Sequence, residues 1–140
     1  MGGEPIVQSN PLILSSLFFL TNALVAFLKK YYLYALFFLV LTITSLIVHN
    51  NDTIYTNLID KIAILPVVIY GVYLLFQKMC AENAFTCFMI ILTFLLAVYL
   101  YIYGYTNKTY CFSEDNGIAQ TYHFILHLIS SLGHHLIIIL

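Results

Sequence analysis

Charge is what this sequence has least of. Asp, Glu, Lys and Arg make up 8% of its 140 residues, against about a quarter in soluble domains. The net charge is −1, which excludes the basic footprint of a nucleic-acid binder. Tryptophan is absent, and only three cysteines occur, Cys80, Cys87 and Cys111. Their spacing matches neither a paired-cysteine metal site nor a disulfide framework. The opening Met-Gly-Gly-Glu-Pro has no basic run ahead of an apolar core, so no cleaved signal peptide is expected. Gly2 begins a myristoylation pattern, but Ile6 stands where Ser or Thr is required.

Apolar residues fill the space that charge leaves: 62% of the chain is hydrophobic. A soluble globule this small cannot hide so much apolar surface. The expected fold is therefore all-α, an integral membrane helical bundle forming a single transmembrane domain over residues 1–140. A spanning helix needs about 20 apolar residues, with roughly 17 as the lower limit. Five apolar segments stand out, at 12–28, 32–48, 62–76, 85–103 and 120–140, the third being the shortest and just under that limit. Asn10 and Pro11 supply an N-cap and a first-turn proline for the first. Pro66 either kinks the third or sets its first turn. The runs are continuously apolar rather than alternating, which excludes a β-barrel.

The short loops orient the bundle. Lys29 and Lys30 separate the first two spans, and Lys78 separates the third and fourth. The other side carries Lys61 and Lys108, offset by Glu4, Asp52, Asp60, Glu114 and Asp115. The positive-inside rule then places the C-terminus in the cytosol and the N-terminus outside or in the lumen. Two Asn-x-Thr sequons, at Asn51 and Asn107, fall on that luminal side. The expected location is an endomembrane (ER or Golgi) or the plasma membrane, with multiple passes.

Ionisable groups at membrane depth are costly and usually functional. Ser45 and His49 stand four residues apart at the end of the second span, hence on one helix face. Asp60 opens the third. His123 and His127 repeat the four-residue spacing at the start of the fifth. Counting crossings brings all five to the same leaflet from three separate helices. A His-x-x-x-His pair on a helix presents two imidazoles to one metal ion, and His49 makes a set of three. Three protein ligands leave a fourth tetrahedral position open, the catalytic rather than structural pattern of zinc. The plainer reading is interfacial histidines, with Ser45 bonded to a carbonyl one turn back.

The run Ser45-Leu-Ile-Val-His49, then Ile59-Asp60, then His123-Phe-Ile-Leu-His127-Leu-Ile-Ser-Ser-Leu-Gly133 resembles the CREST superfamily of membrane hydrolases. Its signature is Ser-x-x-x-His in one helix, Asp at the start of the next and His-x-x-x-His in the last. The short interval from His49 to Asp60 and the tail after His127 look most like the alkaline ceramidases. The resemblance implies Zn2+ bound by His49, His123 and His127, with Ser45 and Asp60 as catalytic residues attending the activated water. It implies a zinc-dependent lipid amide hydrolase taking a ceramide-like membrane lipid on the luminal or extracellular side. The family has seven helices, so five would be a reduced version, with one helical pair lost and parity preserved. The acidic N-terminal segment with which alkaline ceramidases bind calcium has no recognisable counterpart around Glu4. The alternative is a non-enzymatic helical membrane protein, either an inactive relative or an accessory subunit.

His134 lies eleven residues after His123, about 16 Å further along the helix, too far to share its metal. His134 and His135 either mark a polar channel or second site, or sit near the far interface against a partner helix. Tyr31, Tyr32, Tyr34, Tyr99, Tyr101, Tyr103 and Tyr105 gather at helix ends, as an interfacial belt does.

Overall fold

A computed structural model describes residues 10–140 of the chain. The expectations for Gly2, Glu4 and Ile6 lie outside the described residues. The protein is an all-α bundle: α1 (Pro11–Leu28), α2 (Tyr32–Asn50), α3 (Ile54–Lys78), α4 (Ala84–Val98), the short α5 (Gly104–Asn107) and α6 (Asn116–Ile139). A π-helical turn, Tyr99–Tyr103, joins α4 to α5. Among the described residues, five helices are long and apolar enough to cross a membrane, α4 together with its extension counting as one. This is a multi-pass membrane protein. Large apolar side chains such as Leu24, Phe27, Ile69, Phe76 and Phe85 point outward, as a lipid-facing surface requires.

The helix starts differ from the expected spans because caps, not hydropathy, set them. α3 begins at Ile54, ahead of the apolar run at 62–76. Thr53 and Thr56 close a capping box across its first turn, satisfying orphan N–H groups there. Asp60 therefore sits inside α3, in its second turn, rather than opening the helix. Pro66 also lies inside α3. α6 begins at Asn116 rather than 120, because the Asp115 side chain accepts from the N–H groups of Gly117 and Ile118. Asn10 caps α1 by accepting from Leu12 N–H, and its amide donates to the carbonyl of His49 at 2.9 Å. The start of α1 is thereby tied to the end of α2.

α1 and α2 form a tight hairpin. Tyr31 N–H reaches back to the Ala26 carbonyl and Lys30 N–H to the Phe27 carbonyl, the paired bonds of a Schellman ending. Lys30 holds the left-handed position at φ 66°. At the same end, Lys78 Nζ donates to the carbonyls of Ile137 and Ile138 at 2.8 and 3.1 Å. It caps α6 where the helix dipole favours a cation. Lys29, Lys30 and Lys78 thus gather at one end of the bundle, with His49 and Asn10 at the other.

Polar and small residues join the helices, as expected where lipid removes the hydrophobic drive for association. Between α1 and α6, Ser131 Oγ donates to Asn22 Oδ1 at 2.5 Å, and Asn22 Nδ2 donates to the Ser131 carbonyl at 2.9 Å. Asn22 also bonds His135. Between α4 and α6, Gly133 leaves room for Thr93, whose hydroxyl a Cβ would strike. α3 and α4 make no substantial contact with each other, and the gap between them opens into a cavity.

Candidate metal centre

α2 delivers His49 in its last turn, and α6 delivers His123 and His127 one turn apart. Ring centroids are separated by 5.0 Å for His49 and His123, 5.3 Å for His49 and His127, and 4.8 Å for His123 and His127. One nitrogen from each ring lies within 4.8 Å of the other two. This three-histidine group is able to hold a metal ion. The spacing expected from the sequence is thus realised across two helices.

Two features test whether a metal fits. His49 Nε2 is buried and has no hydrogen-bond partner among the described residues, and a buried nitrogen so left costs about 1–3 kcal/mol. His127 Nδ1 lies 2.8 Å from Ser15 Oγ, and Ser15 Oγ donates to the Leu12 carbonyl at 3.1 Å. In the tautomer in which Ser15 accepts from His127 Nδ1–H, Nε2 of that ring is left free. Ligating histidines are usually held this way, through the ring nitrogen that does not face the ion. A three-imidazole donor set suits zinc and its first-row neighbours.

A cavity of about 510 Å³ lies beside the cluster, walled by α2, α3, α4 and α6, with Phe19 from α1. Its lining is predominantly apolar. Ser45, His49, Asp60, His123 and His127 all reach it, so the five residues singled out in the sequence share one site. Ser45 and Asp60 also have partners of their own. Ser45 Oγ lies 2.9 Å from Ser16 Oγ. Ser16 Oγ also contacts the Leu12 carbonyl, at 2.8 Å. Thr44 Oγ1 donates to Asp60 Oδ1 at 2.8 Å.

Ser15, Ser16 and Thr44 were not singled out in the sequence. Ser15 and Ser16 are fully buried within an otherwise apolar stretch of α1. A pair of hydroxyls at that depth is itself the signal that would have found them. Tyr34 leaves the aromatic belt: it is fully buried and bonded to His134. His134 and His135 both contact partner helices, His134 on α2 and His135 on α1. No family model, curated protein or solved structure matches this chain.

Proposed function

We propose that this protein is a zinc-dependent intramembrane hydrolase of lipid amides, ceramidase-like and a reduced relative of the CREST group. The observation that carries this reading is the convergence of three imidazoles on a largely apolar cavity whose wall also holds a carboxylate and a hydroxyl. His49, His123 and His127 would hold the ion. Bound there, zinc supplies Lewis acidity and makes water nucleophilic near neutral pH. Asp60 accepts a proton from the attacking water on Oδ2, while Thr44 holds Oδ1 in place. Ser45 donates to the substrate carbonyl oxygen once its hydroxyl turns from Ser16. The apolar cavity seats the chain of a ceramide-like lipid and keeps bulk water from the amide. On the loop-charge rule this end of the bundle faces the lumen or the exterior, in an endomembrane or the plasma membrane.

A second reading has one observation in its favour. Ser45 and Asp60 are both engaged in hydrogen bonds between or beside helices, the usual use of such groups in membrane bundles. On that reading the chain is an inactive relative or an accessory subunit.

Elemental analysis of the purified protein, coupled to a ceramide hydrolysis assay, separates the two. About one zinc per chain is expected, lost in His123→Ala and in His127→Ala, with turnover lost in parallel. Zinc at wild-type occupancy in the double variant would remove the metal assignment. Zinc without hydrolysis across a panel of ceramides and other acyl lipids would favour the accessory role.

A further inference from the structure

Away from the three histidines, the cavity runs toward the opposite end of the bundle, where its wall includes His134. His134 stands seven residues after His127, two turns along α6, about 10 Å deeper and on nearly the same face. It is 3% exposed. Phe38 and Phe94 meet its ring nearly edge-on, with centroids at 5.2 and 5.0 Å. These contacts fix the ring plane. Nδ1 is bonded to the hydroxyl of Tyr34, a residue with no exposed surface of its own. Gly71 on α3 makes room for the pair, since a Cβ there would come within 2.6 Å of the tyrosine oxygen. Nε2 has no hydrogen-bond partner among the described residues, and the residue forms part of the cavity wall. Three helices thus converge to hold one imidazole with a nitrogen left free at an apolar cavity wall.

His135 differs: Asn22 and the Ser131 carbonyl satisfy it within the α1–α6 contact. An unmatched imidazole nitrogen facing hydrocarbon is unfavourable by about 1–3 kcal/mol. A ligand oxygen at that depth relieves it.

We propose that His134, oriented by Tyr34, forms a second binding position in this cavity, recognising a hydroxyl carried in the middle of a lipid chain. A hydroxyl both donates and accepts, so it pairs with Nε2 in either tautomer. The site accordingly takes chains oxygenated about 10 Å from the group held at the three histidines. The inference rests on the reading of the cavity as the seat of a lipid chain, but not on turnover. Tyr34 is a positioning residue here.

The test is fatty-acid binding to the full chain in lipid nanodiscs, by competition with a fluorescent fatty acid. Stearate, a stearate with a mid-chain hydroxyl and a stearate hydroxylated at its methyl end are compared. The mid-chain hydroxyl is expected to tighten binding about threefold to tenfold, and the terminal hydroxyl not at all. His134→Phe should abolish the preference, read as the ratio of the mid-chain hydroxy acid's affinity to that of stearate. His134→Gln, which keeps a hydrogen-bonding group, should retain part of it. Tyr34→Phe should reduce it, whereas a purely structural pair would leave the ratio untouched. Metal content reports that each variant is folded. Equal affinity for the three acids overturns the inference alone. Failure of all three to bind overturns it together with the lipid-chain reading of the cavity.

Discussion

Ser15 on α1 stands 2.8 Å from Nδ1 of His127 on α6, so the first helix supports a candidate metal ligand that the last one carries. Outer partners of this kind typically contribute tenfold to a hundredfold in metal affinity. Ser15→Ala should weaken zinc binding by about that factor while leaving the bundle folded. Competition with a chromogenic chelator measures it. Unchanged affinity would mean that the hydroxyl serves only the α1–α6 contact.

Asp60 and Ser45 are expected to be dispensable for the metal and necessary for turnover. Asp60→Asn keeps the shape and the Thr44 contact but cannot take a proton, and removing a general base costs about 10²- to 10⁴-fold. Ser45→Ala should lower the rate by up to about 10³-fold if its hydroxyl meets the developing oxyanion. Hydrolysis is normalised to zinc-loaded protein. Equal specific activities in all three proteins would exclude both groups from the chemistry.

Two glycines set the closeness of the helices. At Gly133 a Cβ would strike the Thr93 hydroxyl, and at Gly71 it would meet Tyr34 and His134. Overpacking costs about 1–3 kcal/mol, against roughly 1 kcal/mol gained in helix propensity. Gly133→Ala should therefore destabilise on balance, and adding Thr93→Ala should recover part of the loss. Thermal unfolding in detergent compares the single and double variants. Full stability in Gly133→Ala would show that α4 and α6 can separate without penalty.

The positive-inside rule sets an expected sidedness from Lys29, Lys30 and Lys78. Lys30→Cys should resist a membrane-impermeant thiol reagent applied from outside to intact cells, whereas Lys108→Cys should react, each in a chain lacking the native cysteines. The reverse labelling would invert the bundle and move the three histidines to the cytosolic leaflet.

The long apolar runs made the helix number legible, and the recurrence of His, Ser and Asp near span ends marked the site. Crossing parity alone brought residues 49, 60, 123 and 127 to one leaflet, and the structure places them around one cavity. Helix starts were less legible. Thr53 and Asp115 cap with side chains that hydropathy reads as loop, so α3 and α6 begin earlier than their apolar cores. The supporting hydroxyls were hidden for another reason. Ser15, Ser16 and Thr44 lie on helix faces whose neighbours are set by packing between α1, α2, α3 and α6, and local sequence carries no record of that pairing. Tyr34 was obscured by its companions: six other tyrosines cluster near helix ends, and composition cannot single out the one that is fully buried.

The gap between α3 and α4 has a practical corollary. With no substantial contact between those helices, the hydrocarbon that surrounds the protein can reach the cavity from the side. A solubilising detergent is then a competitor as well as a solvent, because its alkyl tail can lodge where the proposed lipid substrate would sit. Rates recorded in micelles should fall as detergent concentration rises and recover on return to a bilayer, so the choice of amphiphile becomes a variable of the assay itself.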